Sequence, residues 1–401
     1  MENNNKEWGE GVFSLLSWFK KENVKNAKVM VVGAGALGNE VLKNLALFGV
    51  GNIFIVDFDT IEYSNLTRSI LFRETDADKG LYKAVVAAQR IKEINKNINV
   101  QYIIGNLSTD VGLGVYKQMD VVIGCLDSRL ARLQLNRQCM RAGVPWVDGG
   151  IEDLNGVVKV FKRGENCYEC GLSETAKHNL FQRMSCAGVA KRNENAGRIP
   201  TTPVIASIVG AIQTQEAMKL LHPEELFKGH LSSLCGQWFH YEGMHNNIRV
   251  YKSSAYYTDC PSHEYWKPVF KIPQLSADTK IKDCLTLLQD LLNVSTVEIN
   301  LRNDKFVDKI ATRNDNRCFH PMLPESKIPD YIDSNPDLYC RLRMDLNQNT
   351  FENIDDEFPY QDLSLKEIGI PYFDIIQVTT DSGYYYIELS KDEKKFKFYN
   401  H

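Results

Sequence analysis

Short runs of apolar residues alternate with helical patterns over the first 160 residues of the chain. The strand patterns fall at residues 29–32, 101–104 and 121–124, with a further apolar run that ends at Asp57. Residues 128–141 have a helical pattern that stops at Gly143. Such alternation is typical of a doubly wound sheet, so we expect an α/β, Rossmann-like domain from about residue 27 to 162.

The pattern changes on both sides of this region. Aromatic and leucine side chains over residues 7–26 predict an amphipathic helix ahead of the first strand. An apolar helix is predicted over 203–221, and short strands over 237–241 and 248–251. Farther along, the predicted elements are a helix over 281–292, a strand over 296–301, a short helix that ends at Gly369, and strands over 374–378 and 384–389. This inventory fits a C-terminal α+β domain of the β-grasp type, and an unrelated small α+β domain is the alternative.

A glycine-rich turn joins the first predicted strand to the helix after it. Gly33, Gly35 and Gly38 have the G-x-G-x-x-G spacing. In this motif glycine allows a tight turn and lets a phosphate approach the N–H groups at a helix N-terminus. Asp57 closes the next strand about 20 residues later, where a carboxylate usually binds a ribose hydroxyl. These four residues predict a nucleotide on a Rossmann-type βαβ unit.

A cluster of charged and amide side chains follows Asp57. It consists of Asp59, Asn65, Arg68 and Lys83. Arginine and lysine neutralise charge on the β- and γ-phosphates during displacement, and an acid can hold magnesium. The cluster therefore favours a triphosphate over the pyrophosphate of a nicotinamide cofactor. The alternative is a solvated loop with ordinary surface charge.

The run from Asp57 to Arg68, D-F-D-T-I-E-Y-S-N-L-T-R, resembles the ThiF/MoeB/ubiquitin-activating family, whose members carry a similar D-x-D-x-x-x-x-S-N-L-x-R pattern. The resemblance continues over residues 124–127, 147–150 and 156–160. Family members adenylate the C-terminal glycine of a ubiquitin-like protein with Mg-ATP, and the match implies that Asp127 binds the magnesium. Two departures are Ser69, where many relatives have glutamine, and a slightly longer interval between Arg68 and Lys83.

The composition of the chain limits the kinds of partner that it can be expected to bind. A net charge of −4 argues against nucleic acid, because phosphate binding needs a basic face. No apolar run approaches the length of a membrane span, and residues 1–6 are polar rather than signal-like, so no membrane partner is expected. Ten cysteines without a secretory signal indicate free thiols and metal ligation. The expected compartment is the reducing cytoplasm.

Four potential metal ligands form two pairs. Cys167 and Cys170 make a C-x-x-C, and Cys260 with His263 makes a C-x-x-H, both in turn-like sequence. Together they would complete a tetrahedral Cys3His site, which is typical of structural zinc. The alternative is that His263 is a surface residue and the site is incomplete. In the resembled family two C-x-x-C pairs bind zinc at matching positions, so the histidine is a departure that can still ligate.

Cys186 lies in a polar segment that also contains Arg183, Lys191 and Arg192. Adjacent cations lower the pKa of a thiol and make thiolate available for attack on an activated acyl group. Catalytic subunits of the resembled activating enzymes carry their thioester cysteine at a similar distance past the first zinc pair, which implies that role for Cys186. Those enzymes insert a substantial domain after the cysteine. Here the region of about residues 171–200 is short, so we expect a loop instead.

The resemblance implies a reaction in two steps. The glycine loop and Asp57 would bind ATP, with Asp59, Asn65, Arg68 and Lys83 close to it. Cys186 would then accept the acyl group of the ubiquitin-like protein as a thioester. Residues 1–267 would be the adenylation domain, and residues 268–401 a ubiquitin-fold-like domain that recruits a conjugating enzyme. Two other classes stay open: an adenylating enzyme for sulfur transfer in cofactor synthesis, and a nucleotide-binding subunit without turnover.

The resemblance also implies a dimer. No arginine precedes Arg68, whereas bacterial homodimeric relatives supply an N-terminal arginine to the ATP of the partner. In heterodimeric activating enzymes an inactive subunit donates it. The sequence leaves open a homodimer with other phosphate contacts and a heterodimer with an inactive partner.

Overall fold

A computed structural model describes residue 8 and residues 12–177, 201–301, 304–312, 317–339 and 346–396. The strands in these ranges are β1 Lys28–Val32, β2 Asn52–Val56, β3 Asn99–Ile103, β4 Val121–Gly124, β5 Trp146–Glu152, β6 Asn155–Phe161, β7 Gln237–Glu242, β8 Asn247–Lys252, β9 Val269–Lys271, β10 Val297–Asn300, β11 Phe306–Thr312, β12 Cys318–Phe319, β13 Leu323–Pro324, β14 Leu346–Phe351, β15 Asn353–Ile354, β16 Ile375–Thr380 and β17 Gly383–Glu388. The helices are α1 Lys21–Asn26, α2 Ala36–Phe48, α3 Tyr63–Leu66, α4 Glu74–Asp78, α5 Lys83–Ile94, α6 Leu113–Lys117, α7 Arg129–Ala142, α8 Pro203–Leu220, α9 Pro223–Phe227, α10 Ile281–Leu292, α11 Ile328–Ser334 and α12 Pro336–Tyr339.

The main sheet has eight strands in the order β3-β2-β1-β4-β5-β6-β7-β8. The first five in this order are parallel, and β6, β7 and β8 extend the sheet as an antiparallel meander. The chain order reverses between β1 and β4. In sheets of this kind a ligand binds outside the carboxyl ends of the strands at such a point. The predicted α/β, doubly wound sheet is confirmed.

Two apolar layers cover the main sheet. One contains residues of α2, α5 and α8 with Val29 and Val31 of β1, and the other contains residues of α6 and α7 with Met30 and Val32. Because successive side chains of a strand point to opposite faces, the alternation along β1 places these helices on both sides of the sheet. None of the described helices is both long and apolar enough to cross a bilayer.

The C-terminal third contains a five-stranded sheet in the order β15-β10-β16-β17-β9. Its neighbouring strands are antiparallel except β9 and β17, which are parallel. Helix α10 packs on this sheet in one apolar core, which agrees with the predicted α+β inventory. A second small sheet of β11 to β14 was not expected from the sequence. It has a core of its own with α11 and α12, formed by Val307, Ile310, Ile328, Ile332 and Leu338.

The helix predicted over residues 7–26 is wrong. In the described part of this segment the chain forms a 3-10 turn at Phe13–Leu15, and α1 begins only at Lys21. Phe13 and Phe19 stack against Phe48 at the end of α2 instead of lining one face of a helix. Tertiary packing of the aromatic rings therefore outweighs the local helical pattern.

The short helix predicted to end at Gly369 is also wrong. The residues ahead of Gly369 form turns, and this glycine has a φ of +104°. The N–H groups of Leu365 and Lys366 donate to the carbonyl oxygens of Thr279 and Ala277, at 3.0 and 2.8 Å. After these two residues the chain makes only a single turn, which closes when the N–H of Gly369 donates to the carbonyl oxygen of Lys366 at 3.0 Å and the N–H of Ile370 donates to that of Leu365 at 2.9 Å.

The C-terminal region contacts the start of α6. The N–H of Leu113 donates to Asp374 Oδ1 at 2.7 Å, and the N–H of Gly114 donates to the carbonyl oxygen of Phe373 at 3.0 Å. Burial raises the pKa of Asp374 to about 6, against the lowering effects of two backbone N–H groups and the charge of Arg141. The carboxyl that joins these two segments is therefore held in an environment that favours its neutral form.

We expect Asp374→Asn to stabilise the protein at pH 8 and to have little effect at pH 4. The pKa of Asp374 is raised from 3.8 to about 6 in the folded state. Its contribution to the free energy of unfolding is therefore present below pH 4 and is lost as pH rises through 6, by at most about 3 kcal/mol. Asparagine can still accept from the N–H of Leu113. Urea unfolding of the full chain at both pH values measures the difference. The exposed Asp290→Asn serves as control, and equal effects of Asp374→Asn at pH 4 and pH 8 would contradict the prediction.

Candidate functional site: a nucleotide cradle and a Cys3His cluster

The glycine turn lies between the end of β1 and the start of α2. Gly33 has a φ of +95°, and a Cβ there would lie 2.4 Å from the carbonyl oxygen of Cys125. A Cβ at Gly38 would lie 2.0 Å from the carbonyl oxygen of Gly33, whereas one at Gly35 would meet nothing within 4 Å. Gly33 and Gly38 are thus required by the fold itself. Gly35 faces open space beside the first turn of α2, which no side chain caps, so a phosphate can approach these N–H groups.

Asp57 ties the end of β2 to this turn. Its Oδ2 accepts from the N–H of Ala34 at 2.6 Å, and its Oδ1 accepts from the N–H of Asp59 at 2.8 Å. Burial raises the pKa of Asp57, and the opposing effects of the Ala34 N–H and the Lys83 charge do not cancel it. A carboxylate has about four acceptor sites, so Asp57 keeps capacity for a ribose hydroxyl while it orients the loop.

Lys83 and Asp59 form an ion pair, with 2.9 Å between Nζ and Oδ2. The lysine side chain is 12% exposed and the aspartate side chain 45%. The N–H of Lys83 also donates to the carbonyl oxygen of Asp59 at 2.9 Å. The two residues, predicted separately as nucleotide contacts, are therefore partners of each other at the start of α5.

Asn65 and Arg68 lie on and just after the short helix α3. Asn65 Oδ1 accepts from the N–H of Glu62 at 3.0 Å and so fixes the start of α3. Arg68 donates from Nη1 to the carbonyl oxygen of Ser64 at 2.6 Å, which leaves most of its five N–H donors for another acceptor. Both side chains are half-buried.

Asp127 is exposed in the turn between β4 and α7. Helix α7 begins at Arg129 because Ser128 caps it, its hydroxyl accepting from the N–H of Ala131 at 3.4 Å. The carboxylate thus lies at the carboxyl end of β4, beside β1, where the chain order of the sheet reverses. An exposed carboxylate at this edge can bind a hydrated cation.

Arg132 and Asp148, for which the sequence predicted no role, connect the end of β4 to β5. Arg132 donates from Nε to Asp148 Oδ1 at 2.9 Å, and from Nη2 to the carbonyl oxygens of Leu126 and Gly149 at 2.6 and 3.0 Å. Burial works against the charge of Arg132, but the nearby carboxylates of Asp148 and Asp127 outweigh it and raise its pKa. The one available signal was the pairing of an arginine one turn into α7 with an acid inside an apolar strand.

Gln213 of α8 completes this join. Its Nε2 donates to the carbonyl oxygen of Gly124 at 2.8 Å and reaches that of Val147 at 3.5 Å. Its side chain is fully buried. A glutamine in the middle of an apolar helix was the signal that could have marked it, because a buried amide needs partners.

Cys167, Cys170, Cys260 and His263 come together, with all four ligand atoms within 4.8 Å of one another. The Sγ of Cys167 lies 3.7 Å from the Sγ of both Cys170 and Cys260, and Cys170 Sγ lies 3.4 Å from His263 Nε2. Tetrahedral zinc with Zn–S of about 2.3 Å and Zn–N of about 2.0 Å needs S···S and S···N separations of about 3.8 Å and about 3.5 Å. The donor set and its spacing therefore fit a closed tetrahedral site.

A buried acid supports the turn between the first two thiols. Glu169 is 1% exposed and pairs with Arg137, with 3.2 Å between Oε1 and Nη2. The hydroxyl of Ser262, next to His263, donates to the same carboxylate. Glu169 thus connects the two halves of the cluster, which are about 90 residues apart in the sequence.

Cys186 lies outside the described residues, in the range 178–200. The same holds for Arg183, Lys191 and Arg192. The described chain resumes at Thr201, and α8 starts two residues later with Thr202 as its cap.

The glycine turn before α2 and the acid that ends β2 define the class of protein: a nucleotide-binding protein with a Rossmann-like sheet. The ThiF family model matches residues 12–262, and the chain belongs to the ThiF family.

Curated relatives of two kinds match the chain. SUMO-activating enzyme subunit 2 of Dictyostelium discoideum is 38% identical over 151 residues, which are 37% of this chain and 22% of that protein. Molybdopterin-synthase adenylyltransferase of Haemophilus influenzae is 33% identical over 234 residues, which are 58% of this chain and 87% of that protein. The chain spans about a quarter of the length of the SUMO-activating relatives, 22% and 27%.

A solved structure shares the fold. MccB of E. coli has a TM-score of 0.52 at 23% identity, over 66% of this chain and 73% of that chain.

Proposed function

We propose that this protein adenylates the C-terminal carboxylate of a ubiquitin-like or sulfur-carrier protein with ATP. The observation that carries the proposal is the open glycine turn at α2, tied by the Ala34 N–H to Asp57, with the Lys83–Asp59 pair close enough for the lysine charge to act on the Asp57 carboxyl. Membership of the ThiF family and the adenylyltransferase name of the Haemophilus relative support it.

For the first step we propose a displacement at the α-phosphorus of ATP. A carboxylate oxygen of the substrate protein bonds to the α-phosphorus of ATP, the bond from that phosphorus to the bridging oxygen breaks, and pyrophosphate leaves. Lys83 and Arg68 neutralise charge on the departing pyrophosphate. Asp127 would hold Mg²⁺, which supplies further neutralisation of the phosphates. The N–H groups at the start of α2 bind the phosphate nearest to them.

For the second step we propose that Cys186 is the acceptor. Its thiolate bonds to the carbonyl carbon of the acyl-adenylate, the bond from carbon to the phosphate oxygen breaks, and AMP leaves. Residues 268–401 would then recruit a conjugating enzyme. The SUMO-activating names of two relatives favour this route, and the molybdopterin-synthase names favour a sulfur carrier as substrate. A homodimer and a heterodimer with an inactive partner both remain compatible with the proposal.

The test of the first step is ATP–pyrophosphate exchange by the full chain with purified proteins that end in Gly-Gly. One member of a panel of ubiquitin-like and sulfur-carrier proteins should start exchange, and the same protein without its terminal glycine should not. Exchange at the same rate without any protein substrate, or with none of the panel, would contradict the proposal.

We also propose that the Cys3His cluster binds Zn²⁺ in a structural role. Four protein ligands leave no coordination position for water or substrate. Metal analysis of the purified chain should give one zinc per chain.

Cys170→Ser should remove most of this zinc and lower the free energy of unfolding by about 2–4 kcal/mol, because structural zinc contributes directly to folding. Cys284→Ser, at a buried cysteine outside the cluster, should keep its zinc. Metal content by mass spectrometry and thermal unfolding measure both variants. Unchanged zinc in Cys170→Ser would contradict the assignment.

A further inference from the structure

The join between β4 and β5 has a geometry that the proposed reaction does not itself explain. The ladder between these parallel strands ends at the pair Gly124–Asp148. Beyond it the two chains diverge, one toward Asp127 and α7, the other along β5. Carbonyl groups at such a point lose their sheet partners, and a buried carbonyl without a donor is costly.

The guanidinium of Arg132 occupies this gap. A single nitrogen, Nη2, donates to Leu126 on one side and to Gly149 on the other, while Nε holds the carboxylate of Asp148. The side chain is 14% exposed. Long side chains in a helix point back toward its N-terminus, so Arg132 reaches the turn ahead of its own helix. One of the two carbonyl groups that it binds, that of Leu126, belongs to the residue directly before Asp127.

From these contacts we propose that Arg132 is a positioning residue for adenylation: it fixes the β4–α7 turn so that the carboxylate of Asp127 faces the Mg-nucleotide. The inference rests on the proposed function. Lysine cannot replace the arginine here, because one ammonium group does not provide the planar fork that serves three acceptors, two on β5 and one in the turn after β4. Partners that orient a metal-binding carboxylate typically change metal affinity or activity by about 10- to 100-fold.

The decisive quantity is the coupling between Mg²⁺ and ATP, measured as the ratio of the Kd for ATP without and with Mg²⁺. Calorimetry of the full chain in buffer free of added Mg²⁺ and in buffer with Mg²⁺ gives both values without turnover. Strong chelators are omitted so that the Cys3His cluster is not disturbed. Arg132→Lys should reduce the coupling about tenfold, while the Kd for ATP alone stays within about threefold of the wild type.

Four further variants make the result specific. Asp127→Asn should remove the coupling, and adding Arg132→Lys to it should cause no further loss, because Arg132 acts through Asp127. Arg141→Lys, on the same helix and paired with Glu264, should keep the wild-type coupling. Asp148→Asn, which removes the negative charge that Arg132 Nε binds, should also reduce the coupling. Thermal unfolding shows which variants are folded.

The coupling measured in Arg132→Lys tests the role of Arg132 separately from the proposed function. Wild-type coupling in folded Arg132→Lys, or equal weakening of ATP binding with and without Mg²⁺, would overturn the positioning role and leave the proposed function standing. No coupling in the wild type would also overturn the positioning role, whereas the proposed function is tested separately by ATP–pyrophosphate exchange. In exchange assays the positioning role further requires a raised KM for ATP at saturating Mg²⁺ in Arg132→Lys, and an unchanged KM in Arg141→Lys.

Discussion

Replacing Asp127 with alanine should lower ATP–pyrophosphate exchange by about a thousandfold, equivalent to about 4 kcal/mol of transition-state stabilisation. Asp127 is exposed at the carboxyl end of β4, beside the glycine turn, and its turn is fixed by the contacts of Arg132. Within the family resemblance this is the magnesium-binding acid, and its loss would leave charge on the departing pyrophosphate to Lys83 and Arg68 alone.

The measurement is exchange under saturating ATP and Mg²⁺, with the wild type and Asp290→Ala as references. Asp290 is exposed on α10, in the C-terminal region, so its removal should leave exchange within about twofold, as for most surface substitutions. Exchange in Asp127→Ala within about threefold of the wild type would assign the metal to another residue.

Cys186→Ala should abolish the reducible adduct with the substrate protein while ATP–pyrophosphate exchange is retained. Exchange requires only formation and reversal of the acyl-adenylate, which needs no thiol. The adduct requires a nucleophile that attacks the activated carbonyl carbon. Among the described cysteines, Cys125 is no substitute because burial raises the pKa of its thiol far above the physiological range.

The readout is a gel shift of the chain with its substrate protein and ATP, run with and without reducing agent. Cys235→Ala, which removes a half-buried thiol outside the metal cluster, is the matched control and should keep the adduct. An adduct that persists in Cys186→Ala would move the nucleophile elsewhere. An adduct that is never seen, in a wild type that exchanges pyrophosphate, would favour the sulfur-carrier route.

The parts of the fold that local rules govern were predictable. Apolar strands, the stop of α7 at Gly143 with a φ of +74°, and the requirement for glycine at Gly33 and Gly38 follow from periodicity and backbone sterics. The two metal-ligand pairs were visible for the same reason, since ligand spacing within a turn is a local property. That the two pairs, about 90 residues apart, form one cluster was an expectation that spacing alone could not establish.

What could not be predicted depends on contacts between distant segments. The pairing of Lys83 with Asp59 and the fork of Arg132 involve side chains whose partners are set by strand order, not by spacing. Packing of Phe13 and Phe19 on Phe48 likewise overrides a helical pattern. The small sheet of β11 to β14 lies between β10 and β16 in the chain, and its short strands carry little periodic signal.

The ion pair between Lys83 and Asp59 gives the lysine a carboxylate partner before any nucleotide binds. Because the N–H of Lys83 is also bonded to the carbonyl oxygen of Asp59, the two residues stay adjacent when a nucleotide binds, and a triphosphate that reaches Lys83 shares the lysine with this carboxylate. Simple anions such as sulfate should therefore compete poorly with a nucleotide for Lys83. In the reaction that we propose, the same sharing would weaken the hold on free pyrophosphate and so favour its release after each turnover.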